Sequence, residues 1–150
     1  MRRTLGWGTL LLFVTVTLGA CASTEPASTS PSLYKRLGGR EGIAVVVDDF
    51  AANMVADSRV NARFKGMKAP EVEKFKSNLA DQICDATGGP CSYLGKDMKA
   101  AHAGMKITEA EWTATIENLV KALDKHNVAA GSKQELLGVL GPMKKDIVGQ

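Results

Sequence analysis

The fold of this chain is decided by two nearby stretches, Gly88-Gly89-Pro90-Cys91-Ser92-Tyr93 and Met98-Lys99-Ala100-Ala101-His102-Ala103-Gly104-Met105. The first predicts the end of a helix and a turn, and the second predicts a short helical turn that carries one imidazole. At helical spacing, Met98, Ala101 and Met105 share a face with His102. A flat, apolar cofactor can approach such a soft face, with the imidazole bound to a metal at its centre. These residues alone leave open a histidine that packs against the core or is solvated.

The amino terminus has the pattern of an export signal. Arg2 and Arg3 precede an apolar run over residues 6–18, which is shorter than the roughly 20 residues of a membrane-spanning helix. The run ends in Leu18-Gly19-Ala20-Cys21, which resembles the lipobox of bacterial lipoproteins, where the chain is cut before a cysteine that then carries lipid. We therefore expect a signal peptide over residues 1–20 and a lipid on Cys21 that anchors the protein on the periplasmic side of the bacterial envelope. An ordinary secretory signal with an incidental cysteine, or an uncleaved anchor, is the alternative.

The rest of the chain divides into a tether and one domain. Residues 21–31 are predicted to be a flexible tether because Ser, Thr, Ala and Pro dominate there without apolar periodicity. Residues 32–150 are long enough for a single folded domain with one core. The full chain has 19 basic and 16 acidic side chains, and removal of Arg2 and Arg3 leaves 17 basic ones. This near-neutral balance gives no indication of a nucleic-acid partner.

The domain is predicted to be all-α. Apolar residues recur every three or four positions, and no βαβ alternation appears. A short helix at Leu33–Leu37 precedes a longer one over about 41–56, where Val45-Val46-Val47 also has the composition of a strand. A short helical turn is expected over 58–64, before a loop.

Capping signals predict three further helices. One opens at Pro70 and stops at Gly88-Gly89-Pro90. The others open at the capping boxes Thr108-Glu109-Ala110-Glu111 and Ser132-Lys133-Gln134-Glu135. The last helix is expected to carry Leu136, Leu137, Leu140, Met143 and Ile147, with a kink at Pro142.

Several classes of site are disfavoured by the motifs that are present. The glycine pairs lack the spacing of a P-loop or a dinucleotide-binding loop, and the two histidines and three cysteines lack the ligand-pair spacing of a closed zinc site. His126 falls at the end of the helix that Thr108 opens, which suits a surface or capping residue. Cys84 and Cys91 either pair in an oxidising compartment or remain separate thiols, with Cys84 buried as a small apolar group.

Four segments together resemble the group I truncated haemoglobins. In chain order they are Leu33-Tyr34-Lys35-Arg36-Leu37-Gly38-Gly39, Val46-Val47-Asp48-Asp49-Phe50, Ala86-Thr87-Gly88-Gly89-Pro90, and residues 98–107 with His102. Their order, spacing and helix pattern agree over roughly residues 32–148. The resemblance implies a fold in which two helices stack over two others around a b-type haem.

The resemblance also implies a set of site residues. His102 matches the proximal histidine that binds the iron, and Tyr93 matches an aromatic residue near the haem propionates. The apolar residues that match positions lining the haem pocket, each with plain core packing as its alternative, are Phe64, Phe75, Leu79, Ile83, Met98, Trp112 and Leu119.

The distal side departs from the usual pattern of this family. In many members a tyrosine follows the phenylalanine of the second helix and donates a hydrogen bond to bound oxygen, but Ala51 follows Phe50 here. Leu79 occupies the position of a common distal glutamine. Gln82, one turn beyond Leu79, and Asn78, directly before it, are the alternative donors. The sequence therefore predicts weak stabilisation of bound oxygen and leaves haem binding unaffected.

The export signal and this resemblance together predict an exported, lipid-anchored globin that reversibly binds O2, NO or CO, with a reductant that the sequence does not identify. Ligand binding, sensing, NO oxidation and peroxide chemistry all stay open, because the cofactor carries the difficult chemistry. The alternative from another class is a haem-free helical lipoprotein that acts as an envelope adaptor or structural module. An absorption spectrum with or without a Soret band distinguishes the two.

Overall fold

The computed structural model describes residues 30–150, where the chain is helical. The helices are α1 (Leu33–Arg36), α2 (Gly39–Ala56), α3 (Ala69–Ala86), α4 (Met98–His102), α5 (Glu109–Lys125) and α6 (Ala130–Leu140), with 3₁₀ helices at Asn61–Phe64 and Gly141–Asp146. In residues 30–150 the β pairing consists of one bridge between Ile107 and Val148. No helix of this part of the chain is both long and apolar enough to cross a bilayer. The predicted signal peptide and Cys21 lie outside the described residues.

Helix α2 is the centre of the fold, because it packs against both α3 and α5. Its predicted core residues are all buried, and they are Ile43, Val46, Val47, Phe50 and Met54. The Val45-Val46-Val47 run is helical: the second and third valines are buried, whereas Val45 is 45% exposed. Two adjacent buried residues beside an exposed one fit helical rather than alternating periodicity, so the prediction of a helix is confirmed.

Local capping signals place most helix ends where the sequence predicts them. Helix α3 has Pro70 in its first turn and ends before Gly88, whose φ is +80°. Thr108 caps α5: its side-chain oxygen accepts a hydrogen bond from the Glu111 N–H at 3.2 Å. The Glu111 carboxylate accepts in return from the Thr108 N–H at 2.8 Å. This reciprocal pair is the capping box that the sequence indicates.

The predicted start of the last helix is wrong. Helix α6 begins at Ala130, two residues before Ser132, which is buried within the helix. The Ser132 hydroxyl accepts a hydrogen bond from Arg36 Nε at 3.3 Å, and the same guanidinium pairs with Glu135. A contact with α1 therefore uses both polar residues of the apparent capping box.

The end of α6 also differs from the expected kinked helix. Helix α6 stops at Leu140, and Pro142 lies in the second 3₁₀ helix. Proline lacks the N–H that the next α-helical turn needs. Met143 and Ile147 consequently lie beyond α6, within and directly after the 3₁₀ helix.

Cys84 and Cys91 form a disulfide, which answers the question that the sequence left open. Cys84 lies in the last turn of α3 and is fully buried. The backbone of Gly89 passes directly beside this link. A Cβ atom at Gly89 would lie 2.5 Å from Cys84 Sγ and 2.6 Å from Tyr34 Cδ2, so only glycine fits there.

Candidate functional site

A cavity of about 400 Å³ is enclosed by side chains from α2, α3, α4, α5 and the second 3₁₀ helix. Its volume lies in the range of small-molecule and cofactor sites. All nine residues that the sequence predicts for the site line this one cavity, namely Phe64, Phe75, Leu79, Ile83, Tyr93, Met98, His102, Trp112 and Leu119. The structure therefore brings together residues that are up to 55 positions apart in the chain.

The apolar wall of the cavity is built on helical stripes. Phe75, Leu79 and Ile83 recur along α3, and only Ile83 is fully covered by neighbours. Phe75 and Leu79 stay half-buried because the cavity lies in front of them. The ring of Phe64, from the first 3₁₀ helix, meets Phe75 edge to face with centroids 5.7 Å apart.

His102 ends α4 and lines the cavity together with Met98, Ala101 and Met105. Its Nδ1 atom lies 2.8 Å from the Met98 carbonyl oxygen. A carbonyl oxygen only accepts, so Nδ1 carries the proton and donates. In the neutral imidazole the lone pair of Nε2 is then available as a metal ligand, and the ring orientation is held by its own helix.

Tyr93 lies at the edge of the cavity on the segment that leads into α4. Its hydroxyl donates to the Lys96 carbonyl oxygen at 2.7 Å. Burial raises the pKa of Tyr93, and the negative charge of Asp97 adds to the effect, so the phenol stays neutral at physiological pH. The Tyr93 ring lies directly over Gly95. A Cβ atom at Gly95 would lie 2.3 Å from this ring, so this placement of the ring requires glycine.

An ion pair between Arg63 and Glu111, neither of which is a predicted site residue, forms a polar part of the wall. Arg63 Nε donates to Glu111 Oε1 at 2.7 Å, and a second guanidinium nitrogen donates to Oε2 at 2.9 Å. A third nitrogen donates to the Met105 carbonyl oxygen at 2.7 Å. Arg63 and the Thr108 N–H lower the pKa of Glu111 to about 2. No local pattern reveals this pair, because its two residues lie 48 positions apart.

The predicted departures on the distal side also have a clear location. Leu79 lines the cavity, whereas Ala51 is buried in α2 next to the lining residue Phe50 and is not itself a lining residue. Asn78 and Gln82 line it too, so both polar residues that the sequence singled out face the same space. Gln82 Nε2 lies 3.3 Å from Met98 Sδ, and thioether sulfur is a weak acceptor.

Methionine is unusually frequent in this wall. Every methionine in residues 30–150 lines the cavity, and these are Met54, Met67, Met98, Met105 and Met143. Their flexible, polarisable side chains adapt to the shape of an apolar group. Met98 is among the predicted pocket residues, and helical spacing also places Met105 on the face of His102. Spacing around His102 gives no signal for Met54, Met67 and Met143, which lie far from it in the sequence.

His126 lies outside this cavity, as the sequence predicts for a capping residue. It follows the last turn of α5, and its backbone N–H donates to the Ala122 carbonyl oxygen at 3.3 Å. Its Nε2 lies 2.6 Å from Asp49 Oδ2. This contact joins the end of α5 to α2. The hydrogen bond from Lys125, with a smaller effect from His126, lowers the pKa of Asp49.

Comparisons with known proteins agree with this architecture. The family described as bacterial-like globin matches residues 32–148. The group 1 truncated haemoglobin GlbN of Mycolicibacterium paratuberculosis is 32% identical over 123 residues, which cover 82% of this chain and 85% of that protein. The crystal structure of truncated haemoglobin from Tetrahymena pyriformis in the Fe(III) form superposes with a TM-score of 0.75 at 30% identity, over 80% of this chain and 100% of that one. The 2/2 haemoglobin from Synechococcus sp. PCC 7002, in the cyanomet state with covalently attached haem, gives a TM-score of 0.71 at 30% identity, over 79% and 98%.

This chain belongs to the bacterial-like globin family and, within it, to the group I truncated haemoglobins. Its fold is the two-over-two helical fold, and its cofactor is haem. The cavity fits haem, because one imidazole with a free Nε2 faces a space lined mainly by apolar and thioether side chains.

Proposed function

We propose that His102 is the protein ligand to the haem iron in this globin, which binds haem and diatomic ligands. The observation that carries the proposal is the hydrogen bond from His102 Nδ1 to the Met98 carbonyl oxygen, which leaves Nε2 as the free nitrogen within an apolar cavity. The ligands are O2, NO or CO, and their binding is reversible. The haem supplies the iron centre, whereas the chain holds it, orients it and excludes water.

Each part of the wall has a role in this proposal. The apolar side chains of α3 and α5 that line the cavity would contact the apolar macrocycle, and Phe64 and Trp112 would add aromatic surface. Tyr93 is the neutral phenol closest in sequence to His102, and we assign it to the propionate side. The methionines fill the irregular space around the edges.

The distal side is proposed to hold its ligand loosely. Alanine at position 51 and leucine at position 79 provide no hydrogen-bond donor. Bound O2 carries partial negative charge and depends on such a donor more than CO does. Reversible binding with fast release of O2 is therefore the function that these residues support best.

The location of the protein is a separate proposal. The charged start, the short apolar run and the small residues before Cys21 support export and lipid attachment at that cysteine. The disulfide between Cys84 and Cys91 also suits an oxidising compartment. We propose that the globin domain is tethered to the periplasmic side of the bacterial envelope, where an unidentified reductant keeps the iron ferrous.

Absorption spectroscopy tests the haem proposal directly. The purified protein, or the apoprotein after addition of haem, is expected to show a strong Soret band and a ferrous–CO spectrum typical of a histidine-ligated haem. If the reconstituted protein shows no Soret band, the chain is instead a haem-free helical module of the envelope.

A further inference from the structure

The histidine at the centre of the site lies on a short helix that cannot stabilise itself. Helix α4 has five residues, whereas isolated helices shorter than about 12–15 residues are marginal in water. The position of His102 therefore depends on the packing of α4 against the second 3₁₀ helix, on the segment that precedes α4 and on the loop that follows it.

Two links hold the preceding segment against the end of α3. The disulfide joins Cys84, in the last turn of α3, to Cys91. The carboxylate of Asp85, which follows Cys84 in the sequence, accepts a hydrogen bond from the Tyr93 backbone N–H at 3.1 Å. One of these links is covalent, and it lies seven residues before the start of α4.

A series of local hydrogen bonds continues from these links to His102. The Tyr93 hydroxyl donates to the Lys96 carbonyl oxygen at 2.7 Å. The Asp97 carboxylate then caps α4 by accepting from the Ala100 N–H at 2.8 Å. His102 is bonded to the first residue of the same helix, so the disulfide anchors the beginning of a connected path to the imidazole.

The segment after His102 is held independently. Arg63 donates to the Met105 carbonyl oxygen, and the Arg63–Glu111 pair attaches this point to α5. Opening the disulfide therefore removes the covalent one of the two links on one side of α4, and it leaves the other side and the packing of α4 on the second 3₁₀ helix in place. The packing of α2 with α3 and α5 does not involve residues 91–102.

The two sulfur atoms differ in their access to solvent. Cys84 is fully buried, while Cys91 is half-buried. The guanidinium of Arg40 lies 3.2 Å from Cys91 Sγ and also pairs with Asp81 at 2.8 Å. An external thiolate therefore meets Cys91 first, and a nearby positive charge favours the thiolate form of that cysteine once it is released.

We propose that the Cys84–Cys91 disulfide positions His102, so that retention of haem depends on the redox state of this cysteine pair. The inference rests on the proposed role of His102 as the iron ligand. The reductant is an external dithiol: its thiolate attacks Cys91 Sγ, and Cys84 leaves as a thiolate that takes up a proton. The second thiol of the dithiol then breaks the mixed disulfide, which leaves two protein thiols and one oxidised dithiol.

Hydrogen exchange on the apoprotein tests the positioning role without haem. We compare the oxidised protein with the same protein reduced by dithiothreitol, with alkylation and intact mass confirming both states. Amides of residues 93–105 are expected to exchange at least about tenfold faster after reduction, with α2 and α5 unchanged. Unchanged exchange over 93–105, or equal acceleration throughout the domain, would overturn the proposal.

Haem transfer to an excess of an acceptor apoglobin tests the consequence for the cofactor. Reduction is expected to accelerate loss of haem by about tenfold or more and to shift the iron–histidine stretching band of the ferrous protein. Cys91→Ala leaves buried Cys84 in place; it is expected to behave like the reduced protein and to ignore dithiothreitol. Equal transfer rates and an unshifted band in both redox states would refute the positioning role. Absence of haem binding by the oxidised protein would instead refute the proposed function. The exchange experiment uses the apoprotein, so it would still test whether the disulfide positions α4.

Discussion

The side chain of His102 is oriented by the backbone of its own short helix rather than by a neighbouring acid. Its Nδ1 donates to the Met98 carbonyl oxygen, which selects the tautomer with a free Nε2. A neutral carbonyl partner gives the imidazole less anionic character than a carboxylate partner would. The ligand expected at the iron is therefore an ordinary neutral imidazole.

Replacement of this imidazole tests its role. His102→Ala is expected to abolish haem retention or to weaken it severely, because residues 30–150 contain only one other histidine and that one faces Asp49. The variant should remain helical by circular dichroism, since core burial does not depend on His102. His126→Ala is the matched control and should keep the Soret band. A His102→Ala protein with unchanged Soret and ferrous–CO spectra would remove this residue from the site.

The absence of a donor at position 51 predicts fast release of oxygen. A typical hydrogen bond contributes about 0.5–1.5 kcal/mol, and a loss of about 1.4 kcal/mol is tenfold in affinity. Ala51→Tyr is expected to slow O2 release by about tenfold, with a smaller change for CO. Stopped-flow displacement of O2 by CO measures the release of O2, and displacement of CO by NO measures the release of CO. Oxidation to ferric haem should be easier in the wild type than in relatives with a distal tyrosine.

The amide of Gln82 provides the test that would contradict this view. Its Nε2 faces two thioethers, at 3.3 Å from Met98 Sδ and 3.6 Å from Met143 Sδ. If the wild type already releases O2 slowly and Gln82→Leu accelerates release, then this amide is the donor and the distal pocket is not apolar. Asn78→Leu, on the preceding turn of α3, serves as the comparison.

At the scale of single residues, the sequence predicts what chemistry and helical spacing determine together. The nine predicted residues converge because stripes on α3 and α5 and the turn around His102 each face one space. The pair Arg63–Glu111 could not be foreseen, because its geometry depends on how the first 3₁₀ helix meets α5. The same holds for Met143, which lines the cavity from the 3₁₀ helix that follows α6.

Helix boundaries in this protein show where local signals suffice and where they fail. The capping box at Thr108 operates as predicted because all its partners lie within one turn. The similar motif at Ser132 fails because Arg36 and the packing of α1 on α6 engage it instead. A pattern of four residues cannot reveal a competing partner that is 96 positions away.

The start of α5 should respond to acid through Glu111. Its pKa is lowered from 4.5 to about 2 in the folded protein, so the unfolded chain binds the proton more readily. The stabilisation is complete above pH 4.5 and is lost as the pH falls toward 2. We expect a loss of about 1–2 kcal/mol of unfolding free energy from this group, since solvent partly screens the pair.

Urea denaturation of wild type and Glu111→Gln between pH 2 and 7 measures this dependence. The variant should be less stable at pH 7 and should lack this part of the acid response. Glu109→Gln, at an exposed position of the same turn, is the control and should keep the wild-type profile. Parallel profiles for wild type and Glu111→Gln would show that the Arg63–Glu111 pair contributes nothing to the acid response.

For the whole molecule, the main expectation is attachment to a membrane by lipid rather than by a helix. This expectation rests on residues 1–21, because the globin domain begins at about residue 32. A tether of about ten residues spans at most roughly 35 Å when fully extended. The haem site would then remain close to the membrane surface.

Cys21→Ser tests this anchor. The variant is expected to leave the membrane fraction or to accumulate with its signal peptide attached, because lipid transfer requires the cysteine thiol. Fractionation of cells and the mass of the mature protein give the answer. Cys91→Ala is the matched cysteine control and should stay in the membrane fraction. Unchanged fractionation and mass in Cys21→Ser would show that the protein is not a lipoprotein.

The residues that line the cavity extend along the sequence from Phe50 to Ile147. This span constrains when the cofactor can be captured. During synthesis the space stays open on one side until the second 3₁₀ helix has emerged from the ribosome. The bridge between Ile107 and Val148 then closes the loop after α4. We therefore expect haem to be captured only after the whole domain has been synthesised. If the chain is exported as proposed, capture would follow translocation, and polypeptide and cofactor would have to reach the same side of the membrane separately.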